Sequence, residues 1–499
     1  MRRSLFPLAV LLLAPSLGAQ ARPDLAAFDR YVAQGVKDWG VPGLAVAIVK
    51  DDSVVFAKGY GVRRLGGTDA VDAHTLFAIG STTKAMTALS VLMLGDEGKV
   101  RLDEPVRTYL PTLQLYDPVM TRELMVRDLL THHTGLPGAD LLWSGGDYST
   151  DEIIRRMRYL KPVGSFRTVY NYQNVQYAMA GEVIRVASGM TWADFVTRRI
   201  FEPLGMRETV PVLSMTVGRP NVSVPHMVIN DTLQVIENRP VDPVAAAGSV
   251  WSSVTDMAKW MRFVLDSGRV SGRRLVSPAG YAEWLAPQIV VPPGSFYPTT
   301  RFTKSQRITY ALGWFEQDYR GMEVKMHTGS IDGQIAIIGL VPEQRLGVYV
   351  LANRDHAELR HALLYRVLDL YNGGPQRDWS ADLKALYDGM AEQGKQAEAR
   401  FVQARKAGTR PSLDLAAYVG TYTDSLTGTL EVTMDGGRLR ARMGKGFTGP
   451  LEHWHYDTFR ATWDDRRAGQ GVLTFSLDAN GRVATASLPE FGVTFTRNR

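Results

Sequence analysis

Apolar residues in the stretch 79–94, which reads IGSTTKAMTALSVLML, surround a helical axis on every side. This pattern is typical of a helix that is buried all round, and Gly95 and Gly98 follow it as stop signals. Lys84 is the one charged residue in the stretch. Because burying an unpaired charge is costly, a lysine in this helix favours a chemical role over a structural one.

Periodic patterns on both sides of this helix predict a sheet with helices packed on it. Further helices are predicted at residues 24–39, 126–130, 151–157, 172–187, 192–200, 253–265 and 357–371. Strands are predicted at residues 44–49, 54–62, 322–327, 334–340 and 346–352. Two strands, a long helical insert and three more strands are typical of an α+β fold, with one antiparallel sheet built from both ends of the region.

The chain changes character after residue 373. Residues 373–410 are rich in Lys, Glu, Gln and Ala and predict a connecting helix that ends near Gly408. From residue 413 onwards, about seven short strands alternate with Gly, Asp and Asn turns, which favours a small all-β barrel or sandwich. We therefore predict a first domain at residues 22–373, a helical linker at 374–412 and a β-barrel at 413–499.

The N-terminus indicates the compartment. Residues 1–21 combine Arg2 and Arg3, an apolar stretch and Ala19-Gln20-Ala21, which is the pattern of a cleavable secretory signal. We expect a secreted or periplasmic protein. The alternative, a hydrophobic anchor, is disfavoured because the apolar core is shorter than a bilayer span, and no later stretch is long and apolar enough to give a stable membrane span.

Composition narrows the chemistry. The 499 residues are 45% hydrophobic and 22% charged, as in a globular chain of two or three domains. The absence of cysteine excludes disulfides, a thiol nucleophile and thiolate metal sites. The net charge of +6 comes without a dense basic cluster, so we predict no nucleic-acid partner.

Ser81 and Lys84 lie three residues apart, so in a helix the hydroxyl and the amine share a face. Free backbone N–H groups at a helix start can hold a developing oxyanion. The positive helix end and a dry environment both disfavour ammonium, so Lys84 is a candidate to take the proton of Ser81. S-x-x-K is a weak motif alone, and a capping Ser followed by a surface Lys stays open as the alternative.

Tyr172 and Asn174 flank one residue at the predicted start of a helix, which places a phenol and an amide in one pocket. A phenol beside an ammonium is biased toward phenolate and is a candidate base or proton relay, while the amide is a candidate to hold a substrate carbonyl. The alternative is a buried tyrosine with a capping asparagine.

His327-Thr328-Gly329-Ser330 is predicted at the end of a strand. Gly329 lets a substrate approach the backbone closely, and a strand edge can pair with a peptide-like substrate. The Ser330 N–H is a candidate second oxyanion donor beside that of Ser81, and His327 is a candidate to donate to a phenolate or orient the leaving group. The alternative is a polar strand end before a loop.

The remaining histidines have simpler interpretations. His132 and His133 fit a structural role, holding loop backbone, better than a catalytic one. His453 and His455 are two apart and share a strand face, but no third ligand is evident, so aromatic packing is favoured over a metal site. We predict no metal and no cofactor.

The motifs Ser81-x-x-Lys84, Tyr172-x-Asn174 and His327-Thr328-Gly329 together resemble those of a known family, the class C β-lactamase-related serine hydrolases. That group holds class C β-lactamases, D,D-carboxypeptidases, D-stereospecific aminopeptidases and β-lactamase-fold esterases. Further similar stretches lie at residues 129–136, 203–206 and 246–256, and the resemblance covers roughly residues 25–373. Two stretches of the tail, residues 418–422 and 451–459, resemble the small, lipocalin-like β-barrel often appended to such hydrolases.

The resemblance implies a penicillin-binding-protein-like domain, with a sheet, flanking helices and a helical subdomain, and a serine acyl-enzyme mechanism. Ser81 would attack an amide or ester carbonyl, Lys84 and Tyr172 would share the proton transfers, and the Ser81 and Ser330 N–H groups would stabilise the oxyanion. The sequence does not decide between Lys84 and Tyr172 as the base, because coupled groups titrate as a pair. The substrate-binding candidates are Asn174, His327, Thr328, Gly329 and Ser330.

One departure from the family pattern bears on substrate choice. His327 stands where lactamases and many D,D-peptidases have Lys, and a neutral imidazole does not favour a carboxylate-bearing substrate. We therefore expect an exported hydrolase of small peptides, D-amino-acid derivatives or esters, with a small molecule or short peptide as its partner. The alternatives are a β-lactamase proper, or a penicillin-binding sensor without turnover. The barrel is open to three roles: capping the site, mediating a homo-oligomer, or binding an apolar ligand.

Overall fold

The computed structural model describes residues 23–145, 148–374 and 377–498, and the signal predicted at residues 1–21 lies outside them. In the described chain, the helices of twelve residues or more are α1 (Leu25–Asp38), α2 (Lys84–Asp96), α3 (Asn174–Ser188), α4 (Val254–Leu265), α5 (Leu359–Asn372) and α6 (Trp379–Gln403). Shorter helical segments include Gly80–Thr83, Pro118–Glu123, Arg127–Leu130, Leu141–Ser144, Thr150–Arg156, Trp192–Val196, Thr197–Phe201, Ala245–Gly248, Pro278–Trp284 and Thr300–Thr303.

Eight strands form one antiparallel sheet in the order β2-β1-β8-β7-β6-β5-β4-β3. They are β1 (Gly43–Lys50), β2 (Ser53–Gly61), β3 (Ile289–Val290), β4 (Ile308–Tyr310), β5 (Phe315–Tyr319), β6 (Met322–Ile331), β7 (Gln334–Val341) and β8 (Leu346–Ala352). The N-terminal hairpin pairs with β8, so both ends of the domain meet in one sheet, as the sequence predicts.

Alternate residues of the central strands build two hydrophobic layers. In β1, Ala45 and Ala47 face the layer that contains α2 and α4, while Leu44 and Val46 face the layer that contains α1 and α5. The side chains of α2 from Lys84 to Leu94 are buried throughout, which confirms the prediction of a helix enclosed on all sides. The sheet and α2 thus form a rigid base for the first turns of that helix.

Two features of the sheet differ from the sequence prediction. Strands β3, β4 and β5 were not expected, because two to five residues give too short an alternating pattern to stand out. Strand β6 does not end at His327 but continues to Ile331, since Gly329 and Ser330 still pair with Ala336 and Ile335 of β7. The polar residues that suggested a strand end therefore lie inside a strand.

The tail is a closed antiparallel barrel of eight strands. These are β9 (Gly420–Asp424), β10 (Gly428–Asp435), β11 (Arg438–Met443), β12 (Phe447–His455), β13 (Thr458–Thr462), β14 (Gln470–Leu477), β15 (Val483–Leu488) and β16 (Val493–Arg497). The sequence-based count of about seven strands omitted β12, whose Gly449 and Pro450 disguise it. The α+β domain followed by an all-β barrel is nevertheless confirmed.

Helix α6 and a set of polar contacts connect the barrel to the first domain. The indole of Trp379, in the first turn of α6, donates to Asp369 of α5 at 2.7 Å and is buried. On the barrel side, Thr427 O accepts from the Tyr148 hydroxyl at 3.0 Å, and Leu426 O accepts from Arg156 at 2.9 Å. Among the described helices, none is long and apolar enough to cross a bilayer.

Candidate active site

Ser81 lies in the short helical turn Gly80–Thr83 that leads directly into α2. Gly80 has φ +52°, a left-handed conformation that suits glycine, and a Cβ on it would stand 2.5 Å from Ser330 N. A Cβ on Gly329 would overlap Ile79 O, so both glycines are needed where β6 passes the turn. The backbone of Ser330 is thereby held against the backbone around Ser81, whose side chain stays partly exposed.

Lys84 is 0% exposed and lies one turn below Ser81, with its Nζ 2.9 Å from Ser81 Oγ. The amine also lies 2.8 Å from Asn174 Oδ1 and 3.0 Å from Ala247 O. Both of these oxygens accept hydrogen bonds and cannot donate. A neutral amine has two N–H bonds for the two carbonyls, which leaves its lone pair directed at the Ser81 hydroxyl.

Charge states in the site follow from burial. Burial lowers the pKa of Lys84 well below 10.5, although the nearby Asp140 opposes this shift. Burial raises the pKa of Tyr172 well above 10, although its hydrogen bond with Ser81 opposes that shift. The expectation of a phenolate is therefore wrong for the resting site, because burial raises the pKa of the phenol and also disfavours the ammonium that would stabilise a phenolate.

The structure brings Tyr172 and Asn174 to the site as predicted from the sequence. The Tyr172 hydroxyl lies close enough to the Ser81 side chain for that contact to oppose the rise in its pKa, and Lys84 Nζ lies 4.7 Å from the centre of the Tyr172 ring. Helix α3 begins at Asn174, so Tyr172 precedes the helix and Gln173 caps it. The Asn174 Nδ2 donates to Asp140 at 3.1 Å, which orients its oxygen toward Lys84.

His132 has the structural role predicted for it. Its Nδ1 accepts a hydrogen bond from the Gln173 N–H at 3.1 Å, and its ring packs 4.2 Å from the ring of Tyr172. Burial lowers its pKa well below 6.5, so the ring is neutral. His132 thus fixes the backbone that carries Tyr172 without reaching Ser81.

The stretch of β6 from His327 to Ile331 has one open side. Pairing with β5 ends at Met326, whereas pairing with β7 continues to Ile331. Within the described residues, no strand pairs with the other side of this stretch. This side of the strand is therefore open for pairing with an extended substrate backbone beside Ser81.

The imidazole of His327 is 1% exposed and has both nitrogens engaged. Nδ1 donates to Thr328 O at 2.6 Å, and Nε2 accepts from the Tyr310 hydroxyl at 3.1 Å. Burial, with the nearby Lys84, lowers its pKa to about 3, so the ring is neutral as predicted. It does not donate to Tyr172, so the suggested donation to a phenolate has no counterpart in the resting structure.

The backbone N of Ser330 stands against the turn of Ser81, while the side chains of Thr328 and Ser330 contact groups outside the site. The Thr328 hydroxyl lies 2.5 Å from the Tyr297 hydroxyl, and the Ser330 hydroxyl accepts from Arg360 of α5 at 3.0 Å. Their role as substrate-binding residues therefore stays a prediction that concerns their backbone groups.

Sequence reasoning missed Asp140 and Arg360, each of which contacts a site residue. Asp140 lies in a loop with no motif, and Arg360 lies on a helix far along the chain, so neither gave a local signal. Asp140 also lines a cavity of about 640 Å³ between its loop and the barrel, whose walls include Leu426, Phe447 and Phe491. Among the described residues, no cluster of His, Asp and Glu has the arrangement of a metal site.

Known proteins share both parts of this architecture. Residues 28–372 match the Beta-lactamase family, and residues 404–498 match a domain family of unknown function, DUF3471. The unguisins hydrolase ungD of Aspergillus violaceofuscus is 30% identical over 475 residues, which is 87% of this chain and 82% of that protein.

Two solved structures support the fold. The octameric penicillin-binding protein homologue from Pyrococcus abyssi aligns with a TM-score of 0.62 and 23% identity, over 93% of this chain and 98% of its own. The D-amino acid amidase from Ochrobactrum anthropi SV3, complexed with L-phenylalanine amide, aligns with a TM-score of 0.58 and 23% identity, over 70% of this chain and 99% of its own.

Proposed function

This chain belongs to the beta-lactamase family and is a serine hydrolase, and from that premise we propose that it forms an acyl-enzyme on Ser81. We propose that it is exported and hydrolyses amide or ester bonds of small peptides, D-amino-acid derivatives or esters. The observation that carries the proposal is the convergence of Ser81, Lys84 and Tyr172, since an amine 2.9 Å from a hydroxyl, with a phenol ring 4.7 Å from that amine, supplies the parts of an acyl-transfer site.

In the proposed mechanism Lys84 is the resting base. Its two N–H bonds point to Asn174 Oδ1 and Ala247 O, and its lone pair faces Ser81 Oγ. As Oγ attacks the substrate carbonyl, its proton moves to Lys84 and the carbonyl electrons move to the oxygen. The resulting ammonium keeps both carbonyl acceptors, which stabilise the new charge.

The remaining steps return that proton. The Ser81 and Ser330 N–H groups hold the tetrahedral oxyanion. Tyr172, which stays protonated at rest, can pass its proton to the leaving nitrogen or oxygen and regain one from Lys84. The C–N or C–O bond breaks, and water then attacks the Ser81 ester through the same groups in reverse, releasing the acid.

Several observations support a peptidase or esterase over a β-lactamase. His327 is neutral, buried and bonded to Tyr310 and Thr328, so it supplies no cation for a substrate carboxylate. The relative named unguisins hydrolase covers most of this chain, and a structural neighbour is an amidase bound to an amino-acid amide. We propose that the cavity beside Asp140 holds the part of the substrate beyond the scissile bond, since its size suits a short peptide.

A substrate panel tests this proposal. The panel contains D- and L-aminoacyl amides, short-chain p-nitrophenyl esters and nitrocefin, each assayed with wild type and Ser81→Ala. We expect turnover of amides or esters that requires Ser81 and exceeds nitrocefin turnover. Nitrocefin turnover equal to the other substrates would favour the β-lactamase alternative. Labelling of Ser81 by a fluorescent penicillin without any turnover would favour the sensor alternative.

Export and assembly have separate tests. Mature protein in the secreted or periplasmic fraction that lacks residues 1–21 would support export, and retention of that segment in the cytosol would contradict it. We propose assembly through the barrel, for which the octameric neighbour is the supporting analogy. Loss of the oligomer on removal of residues 404–499 is the expected sizing result, and a monomeric full-length protein would contradict it.

A further inference from the structure

Arg360 lies in the first turn of α5 beneath β6, is 4% exposed and contacts the peptide that precedes Ser330. Its Nη1 donates to Gly329 O at 2.7 Å, to Ser330 Oγ at 3.0 Å and to Ala336 O at 3.2 Å. Its Nε and Nη2 donate to the two oxygens of Glu358, both at 3.0 Å. The guanidinium is therefore fixed by five polar contacts.

Glu358 keeps this buried cation in place. Burial raises the pKa of Glu358, but Arg360 and His361 together outweigh burial and hold that pKa below its usual range, so the carboxylate is charged. His361 lies with Nδ1 2.8 Å from the same carboxylate. A buried guanidinium paired in this fork geometry remains charged and can polarise the carbonyl that its remaining N–H groups contact.

The contacted carbonyl and the candidate oxyanion donor belong to one planar unit. Gly329 C=O and Ser330 N–H are the two ends of the same trans peptide, so they point in opposite directions. Arg360 holds the carbonyl end, and Ser330 N stands against Gly80, next to Ser81. A cation on the carbonyl draws electron density from the nitrogen, which makes the N–H a stronger donor on the other side.

We propose that Arg360 is a positioning residue that orients and polarises the Gly329–Ser330 peptide, so that the Ser330 N–H binds the oxyanion more strongly. The inference rests on the proposed acyl-enzyme function of Ser81. In a purely structural role Arg360 would only stabilise the fold. In the proposed role it also stabilises the negative charge of the transition state, although it never touches the substrate.

The test compares two double variants that each remove a buried ion pair. Glu358→Gln/Arg360→Met removes the pair under Gly329 without leaving an unpaired charge. Glu316→Gln/Lys325→Met removes a buried pair from the same region of the sheet, where Lys325 contacts Glu316, the partly exposed Glu323 and Leu285 O but not Gly329. Both are made in the full chain, and Arg360→Lys is a third variant that keeps a buried cation beside Glu358.

Acylation is followed as the burst of p-nitrophenolate from a p-nitrophenyl ester, and the ester carbonyl stretch of the acyl-enzyme is followed by difference infrared spectroscopy. We expect the Arg360 pair variant to acylate about tenfold to a hundredfold more slowly with the dissociation constant of the ester unchanged, less than the roughly 10²–10³-fold loss for removing an oxyanion donor outright. Its carbonyl stretch should move to higher wavenumber, because the hydrogen bond to it weakens. Arg360→Lys should shift both readouts in the same direction by less.

The control variant shows how much acylation slows when a buried ion pair is removed without affecting Gly329. This slowing is the structural contribution, which both double variants share. The inference is overturned if, in either the double variant or Arg360→Lys, the carbonyl stretch does not shift and acylation equals that of the control variant. The proposed acyl-enzyme would survive that result. An unchanged burst in Ser81→Ala would overturn the proposed acyl-enzyme, and this inference with it. If the double variant does not fold, the two readouts of Arg360→Lys decide the question.

Discussion

Replacing Gly80 by alanine perturbs both candidate oxyanion donors with a single methyl group. The added Cβ would stand 2.5 Å from Ser330 N and 2.9 Å from Gly329 C, closer than the 3.0 Å that Cβ atoms essentially never undercut. The contacted atoms are backbone, so no side chain can move aside. The turn before Ser81 and strand β6 must therefore separate by about half an ångström or more.

The expected effect on catalysis follows from that separation. Because a misplacement of about 1 Å costs on the order of 10²-fold, we expect kcat/KM of Gly80→Ala to fall about tenfold or more. Gly80 also has φ +52°, and an alanine in the left-handed region costs about 1–2 kcal/mol of folding free energy. The loss should appear in kcat, since the oxyanion forms after substrate binding.

Gly98→Ala is the matched control at the other end of α2. Gly98 has φ +70°, and among the described residues nothing lies within 4 Å of the position of its Cβ. Gly98→Ala therefore has the folding cost of an alanine in the left-handed region, without a steric clash against a neighbouring strand. Ester hydrolysis and thermal unfolding of both variants are compared with wild type. A folded Gly80→Ala whose kcat/KM equals that of Gly98→Ala would refute the argument that close backbone contact sets the oxyanion geometry.

Three further predictions follow from the site and the core. Ser81→Ala should abolish hydrolysis and covalent labelling while leaving thermal unfolding nearly unchanged, and residual turnover above background would count against Ser81 as nucleophile. Because the folded-state pKa of Lys84 is lowered, kcat/KM should fall as pH is lowered through that pKa and stay high on the alkaline side. A profile that keeps rising until pH 10.5 would contradict this. Trp379→Ala removes a buried indole that stacks on Tyr365 and should cost about 3–5 kcal/mol of unfolding free energy in a denaturant titration, with an undiminished midpoint as the contrary result.

The sequence was most informative about the site where the residue pattern within one element already indicates its structure. Residues 79–94 place a hydroxyl and an amine on a helix whose apolar composition already indicates burial, and the structure buries Lys84 completely. Tyr172 and Asn174 were found for a similar reason, since two residues apart at a helix start share a pocket. Spacing singled out these positions, and the combination of the motifs with the family resemblance favoured a site over the structural alternatives.

Features that depend on packing between distant elements could not be predicted from the sequence. Arg360 meets Gly329 only because α5 lies against the sheet, and nothing near it in the chain indicates that contact. The protonation state of Tyr172 also came out opposite to the expectation, because burial by several elements outweighs the hydrogen bond to Ser81. Strand β6 was predicted too short because its continuation is fixed by β7 rather than by its own alternation.

The loop that carries Asp140 has a consequence for how this enzyme can diversify. At one end it bonds to Asn174 beside the reacting groups, and at the other it meets barrel residues such as Phe447 and Phe491 around a shared cavity. Substitutions at those barrel positions would reshape the wall that we propose faces the substrate, while leaving the hydroxyl, amine and phenol untouched. Under this proposal, substitutions in the barrel domain can change the substrate range with little effect on the groups that break the bond.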